Sequence, residues 1–110
     1  MQTPSDLTIR PRDIAFGRKN APMRWWMGGD PIATAFYNAL SASFPQGERF
    51  FIDAVRKHKK YASPELQEQI KSFTTQEAIH SREHVVFNQQ AVNAGYDLTK
   101  IDRIIDARLY

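Results

Sequence analysis

From residue 30 onward the apolar positions recur every three or four residues. Ala33, Tyr37, Leu40, Phe44, Phe51 and Val55 form one such series, the spacing of a single helical face. Asp30 followed by Pro31 is a start signal: the acid caps free amides, and proline at the first helical position gives up an N–H that has no partner there. A first helix is predicted over residues 30–61. Pro45 has no N–H for the Ser41 carbonyl and Gly47 follows closely, so a kink or short break is expected at 44–47. Ser63, Pro64 and Glu65 repeat the start signal, and a second helix is predicted over 63–94 with Gly95 closing it. Thr99 with Asp102 resembles a capping box ahead of Ile101, Ile104, Ile105 and Leu109, which predicts a third helix over 99–110. Two long helices joined by so short a turn pack antiparallel. Residues 1–29, punctuated by Pro4, Pro11, Pro22, Gly28 and Gly29, read as an extended arm. Its Trp25 and Trp26 are expected to dock on the helices rather than to stack on a ligand. The fold class is all-α, a long antiparallel hairpin plus a short third helix in a single domain, 1–110. Tyr110 ends the last amphipathic pattern with no stop signal, as though the helix or the domain continued.

The face of the second helix is not wholly apolar. Leu66, Ile70, Phe73, Glu77, His80, His84, Phe87 and Ala91 fall within an arc of about 100°, the width of one buried stripe. Three ionisable groups occupy its middle. A lone buried carboxylate costs several kcal/mol, so Glu77 on this face needs a partner, and two imidazoles beside it suit metal coordination. The first helix has a matching anomaly in Glu48, which shares the stripe of Tyr37, Leu40, Phe44, Phe51 and Val55. If the chain turns near Ala62, Glu48 and Glu77 stand at about the same height, roughly 21–23 Å from the turn. A Glu on one helix with Glu-x-x-His on the next is half of the ferritin-like dinuclear site, in which a four-helix bundle contributes two of each. The expected metal ligands are Glu48, Glu77 and His80, with His84 either a further ligand or a hydrogen-bonding support. Ion pairing of the two glutamates with Arg49, Arg82 or the imidazoles is the structural alternative.

A rival motif overlaps these residues. His80, Ser81, Arg82, Glu83 and His84 spell H-x-x-E-H, the inverted zincin pattern, in which the histidines bind zinc and Glu83 is the catalytic base. It leaves Glu48 and Glu77 without a purpose and turns Glu83 roughly 60–120° from the other candidates.

Composition narrows the chemistry. The chain has no cysteine among its 110 residues, which excludes disulfide scaffolds, thiolate metal sites and thiol nucleophiles. Nitrogen and oxygen ligands suit iron or manganese well and zinc acceptably. The net charge of +3 comes from dispersed residues, giving no case for nucleic acid. The run Arg56, Lys57, His58, Lys59 and Lys60 falls at a helix C-terminus, where cations complement the dipole. No apolar run reaches a membrane span and the N-terminus has no signal-peptide pattern, so the expected compartment is the cytoplasm.

The segments Arg24-Trp25-Trp26, Asp30-Pro31, Asn38-Ala39-Leu40-Ser41, Phe44-Pro45-Gln46-Gly47-Glu48-Arg49-Phe50-Phe51 and Gln76-Glu77-Ala78-Ile79-His80-Ser81-Arg82-Glu83-His84 together resemble the bacterial family of predicted metal-dependent hydrolases. The resemblance implies hydrolysis at a bound metal and supports Glu48, Glu77, His80 and His84. Family members are longer, and no second Glu with Glu-x-x-His follows His84 here. A homodimer, or a C-terminal half beyond this chain, is therefore expected to complete the bundle. The expected activity is oxidation or hydrolysis of an apolar small molecule at iron or another divalent metal, with Tyr37, Phe44, Phe51, Phe73 and Phe87 as candidate pocket walls. The alternatives are a zinc hydrolase using the His80–His84 motif and a non-catalytic, metal-stapled helical oligomer.

Overall fold

The computed structural model describes residues 4, 6–16 and 24–109. Helix α1 spans Pro31–His58, α2 spans Pro64–Asn93 and α3 spans Thr99–Leu109. A single 3-10 turn, Lys59–Tyr61, replaces the last turn expected of α1. The Asp30 carboxylate accepts the amides of Ile32 and Ala33, and the Ser63 hydroxyl accepts that of Leu66. Both start signals therefore act as caps. Gly95, at φ 95°, closes α2: its amide reaches the Val92 carbonyl while that of Tyr96 reaches Ala91. This is the paired bonding of a Schellman end, where glycine pays no Cβ penalty.

Of the kink or short break expected at residues 44–47, the break does not form. α1 continues through Pro45, and the Ser41 carbonyl that the proline leaves without an amide accepts the side-chain amide of Asn88 at 3.2 Å. A partner on the neighbouring helix thus satisfies the gap that would otherwise weaken the turn. The capping box at Thr99 does not form either. Thr99 is the first helical residue, and the Asp97 carboxylate two positions earlier takes both its amide and its hydroxyl. Those bonds hold the Asp97 carboxyl below its ordinary range.

Helices α1 and α2 are antiparallel: Ser41 meets His84 and Asn88, while Glu48, further along α1, meets His80, earlier on α2. The seam differs from the predicted apolar stripe. Along α1 the buried residues are Thr34, Asn38, Ala42 and Glu48, small or polar, whereas Tyr37, Leu40 and Phe51 from the predicted stripe are exposed. The small side chains let neighbouring segments approach, and the aromatic ones flank that contact. Two of the polar residues take hydrogen bonds from the segment before α1, although Asn38 Nδ2 is left without a partner among the described residues. Trp26 donates its indole N–H to Asn38 Oδ1 at 2.9 Å, and the Met27 amide donates to Thr34 Oγ1. The two tryptophans dock as expected, Trp25 edge-on to Tyr96 and Trp26 tilted against Tyr37.

The apolar core is thin. Ala42, Ala91 and Leu98 are its buried members, joined by Tyr96 and Ile101. The chain exposes 8553 Å², against about 6,200 Å² for a compact monomer of its mass. The largest fully buried side chain among the described residues is not apolar; it is Glu48.

Candidate metal centre

Glu48 sits midway along α1, on the side covered by α2, and is 1% exposed. Its Oε1 lies 2.7 Å from His80 Nδ1, an ion-pair distance when the ring is protonated, and neither carboxylate oxygen has a hydrogen-bond partner of good geometry among the described residues. Desolvation pushes the Glu48 pKa up; the His80 ring and the Ser81 hydroxyl oppose this, and the Glu77 charge adds to it. A buried carboxylate without aligned donors is costly unless a cation compensates it.

Helix α2 brings two imidazoles to the same place. His80 and His84, one turn apart, face each other with their Nε2 atoms 3.0 Å apart. Such an edge fits two nitrogens on one divalent ion, since zinc–nitrogen bonds are about 2.0–2.1 Å. Ligand atoms from Glu48, His80 and His84 all lie within 4.8 Å of one another. His84 is half-buried under Phe44, whose ring stacks on it at 4.3 Å. Burial and the neighbouring His80 lower the His84 pKa, which keeps it in the neutral form that binds metals.

The structure orders the sequence candidates differently from the helical wheel. His84, a ligand or a support on spacing alone, belongs to the three-residue cluster. Glu77 stands at its margin, 3.9 Å from His80 Nδ1 and partly exposed. The imidazole that meets Glu48 is His80, one turn further along α2 than Glu77. Glu83 lies elsewhere. It is buried, but it accepts from the Phe16 amide at 3.1 Å and from Arg82, which also holds Asp13. It ties the arm to α2 through these bonds.

A cavity of about 440 Å³ opens beside the cluster. Trp26, Tyr37, Phe44, Phe87 and Tyr96 give it apolar walls, and His84 is shared between the cavity and the cluster. Of the aromatic residues expected to form a pocket, Tyr37, Phe44 and Phe87 do so, while Phe51 and Phe73 are not among its walls. Two site residues were not singled out from the sequence, Ser41 and Asn88. Ser41 Oγ lies 2.8 Å from both His84 Nδ1 and Asn88 Oδ1. The available signals were Pro45, four residues after Ser41, and Asn88, four residues after His84.

Among the described residues no helix is long and apolar enough to cross a membrane. No curated protein and no solved structure matches the chain. The family model for predicted metal-dependent hydrolases matches residues 10–110, a span that contains the carboxylate, both imidazoles and the cavity beside them. With nearly the whole chain covered, the protein belongs to the family of predicted metal-dependent hydrolases.

Proposed function

We propose that Glu48, His80 and His84 hold a divalent ion, with Glu77 as a flanking carboxylate, and that the centre hydrolyses a bond in an apolar small molecule lodged in the adjoining cavity. One observation above all supports this: Glu48 is buried with both oxygens lacking an aligned donor, directly beside two imidazoles whose Nε2 atoms converge. A divalent ion there supplies Lewis acidity and a water of lowered pKa. The protein's own residues do the rest. The Glu48 carboxylate offsets cationic charge in a low-dielectric setting, and Phe44 fixes the plane of His84 by stacking. The cavity walls exclude water from an apolar substrate, and Glu77, 3.9 Å from His80 Nδ1, flanks the centre with a second carboxylate.

Elemental analysis and equilibrium dialysis against Mn(II), Fe(II) and Zn(II) test the assignment. Glu48→Gln, His80→Ala and His84→Ala should each lower the bound metal by at least tenfold, and Glu83→Gln should leave it intact. Metal-free protein that shows no affinity for any of the three ions would sink the proposal.

The open side of the cluster supports a second, dinuclear reading with iron and oxidative chemistry. His80 remains 51% exposed at its side chain, so a ferritin-like partner pair, from a second copy or from further chain, would have access to it. Two ions per pair of glutamate–histidine sets, with a carboxylate-bridged iron spectrum, would favour that reading over a mononuclear hydrolase.

A further inference from the structure

We infer that Ser41 and Asn88 are positioning residues that fix the tautomer of His84 and so aim its Nε2 lone pair at the metal centre, and that Pro45 makes this arrangement available. The inference rests on the metal assignment above, and it follows from counting donors and acceptors. Pro45 cannot donate to the Ser41 carbonyl. Asn88 Nδ2 takes that acceptor at 3.2 Å, which fixes the orientation of the Asn88 amide and leaves its Oδ1 facing Ser41 Oγ at 2.8 Å. An amide oxygen has no hydrogen, so the Ser41 hydroxyl must donate to it. A hydroxyl has one hydrogen to give. Toward His84 Nδ1, at 2.8 Å, Ser41 can therefore only accept, and Nδ1 must carry the proton. In a neutral imidazole the lone pair then resides on Nε2, the atom that faces His80 Nε2 at 3.0 Å.

Each link removes one choice from the next, from a backbone gap in α1 to a ring nitrogen on α2. Partners of this kind that orient a ligating histidine are generally worth 10–100-fold in metal affinity.

The test uses the full chain labelled with 15N-histidine, freed of metal, with the His84 tautomer read from long-range proton–nitrogen correlations. Zn(II) affinity is measured in parallel by competition with a chelator. In the unsubstituted chain His84 should carry its proton on Nδ1. Asn88→Ala should free the Ser41 hydroxyl to donate, turning His84 toward the Nε2–H form and weakening Zn(II) by about 10–100-fold. Asn88→Asp, which keeps an acceptor for the Ser41 hydroxyl while removing the donor to the Ser41 carbonyl, should retain the Nδ1–H form. Ser41→Ala should also weaken Zn(II), and Ser41→Thr should restore it. A general loss of packing would not separate Asn88→Asp from Asn88→Ala in this way, and circular dichroism checks that each variant folds. If Ser41→Ala does not fold, the unsubstituted tautomer and the Asn88 pair still decide the matter. A chain that binds Zn(II) with His84 protonated on Nε2 overturns the relay alone. A chain with the Nδ1–H form that binds no metal overturns the metal assignment and, with it, the purpose given to the relay.

Discussion

At the scale of single residues, Glu48 places a cost on the fold that a function must justify. Its folded-state pKa is raised by burial, so the folded chain keeps this proton to higher pH than the unfolded chain does. The associated stability is complete below the ordinary glutamate range and is lost as pH rises through the raised value. His84 works in the opposite sense. Its pKa is lowered by burial and by His80, so as pH falls below the ordinary histidine range the unfolded chain takes up the proton first and stability drops. Glu48→Gln removes the first dependence. In chelator at pH 8 the variant should be more stable than the parent by roughly 1–3 kcal/mol, the cost of an uncompensated buried acceptor, while it loses metal binding. Urea denaturation at pH 5 and pH 8 checks both the size and the sign. A less stable Glu48→Gln chain at pH 8 would show that the carboxylate is better satisfied than its geometry indicates.

At the scale of elements, the hairpin depends on how its helices end and on what fastens the arm. Gly95 holds φ 95° at the end of α2, a conformation that costs an L-residue about 1 kcal/mol or more. Gly95→Ala should therefore lower stability by about 1 kcal/mol without changing metal content, as urea denaturation and dialysis will show. The arm is fastened by Glu83 through the Phe16 amide and Arg82. Glu83→Ala should speed proteolysis within residues 6–16 and leave Zn(II) affinity within about twofold. A large fall in affinity would return Glu83 to the chemistry of the site. Pro45 shows how a local signal can be legible while its outcome is set elsewhere. Its missing amide was visible in the sequence, but the break it implied depended on whether another helix supplied a donor, and Asn88 does.

At the scale of the whole molecule, the surface is larger than a compact chain of this size presents. Ile32 is 80% exposed, and Phe36, Phe50 and Phe51 are exposed with it, along the helix that also bears Glu48. A helical face of this kind is normally covered by another apolar surface. The isolated 110-residue chain should self-associate at tens of micromolar, and Phe51→Glu should shift it toward monomer with unchanged helicity. Light scattering across a dilution series measures this, and a parent chain that stays monomeric throughout would count against self-association.

The sequence by itself determined the all-α class, the caps at Asp30 and Ser63, the close of α2 at Gly95 and the polar interruption at Glu48, Glu77, His80 and His84. These are local signals: capping chemistry, a glycine in a position of positive φ, and a period near 3.6 that ionisable residues interrupt. The tertiary structure alone decided which carboxylate meets which imidazole: Glu48 lies 2.7 Å from His80 Nδ1, and Glu77 stands 3.9 Å from the same atom. It also decided that Glu83 fastens the arm while Ser41 and Asn88 support His84. Those partners are separated by 67, 43 and 47 residues along the chain. No local periodicity encodes such pairings; they exist only once the two helices are packed and the arm is laid across them.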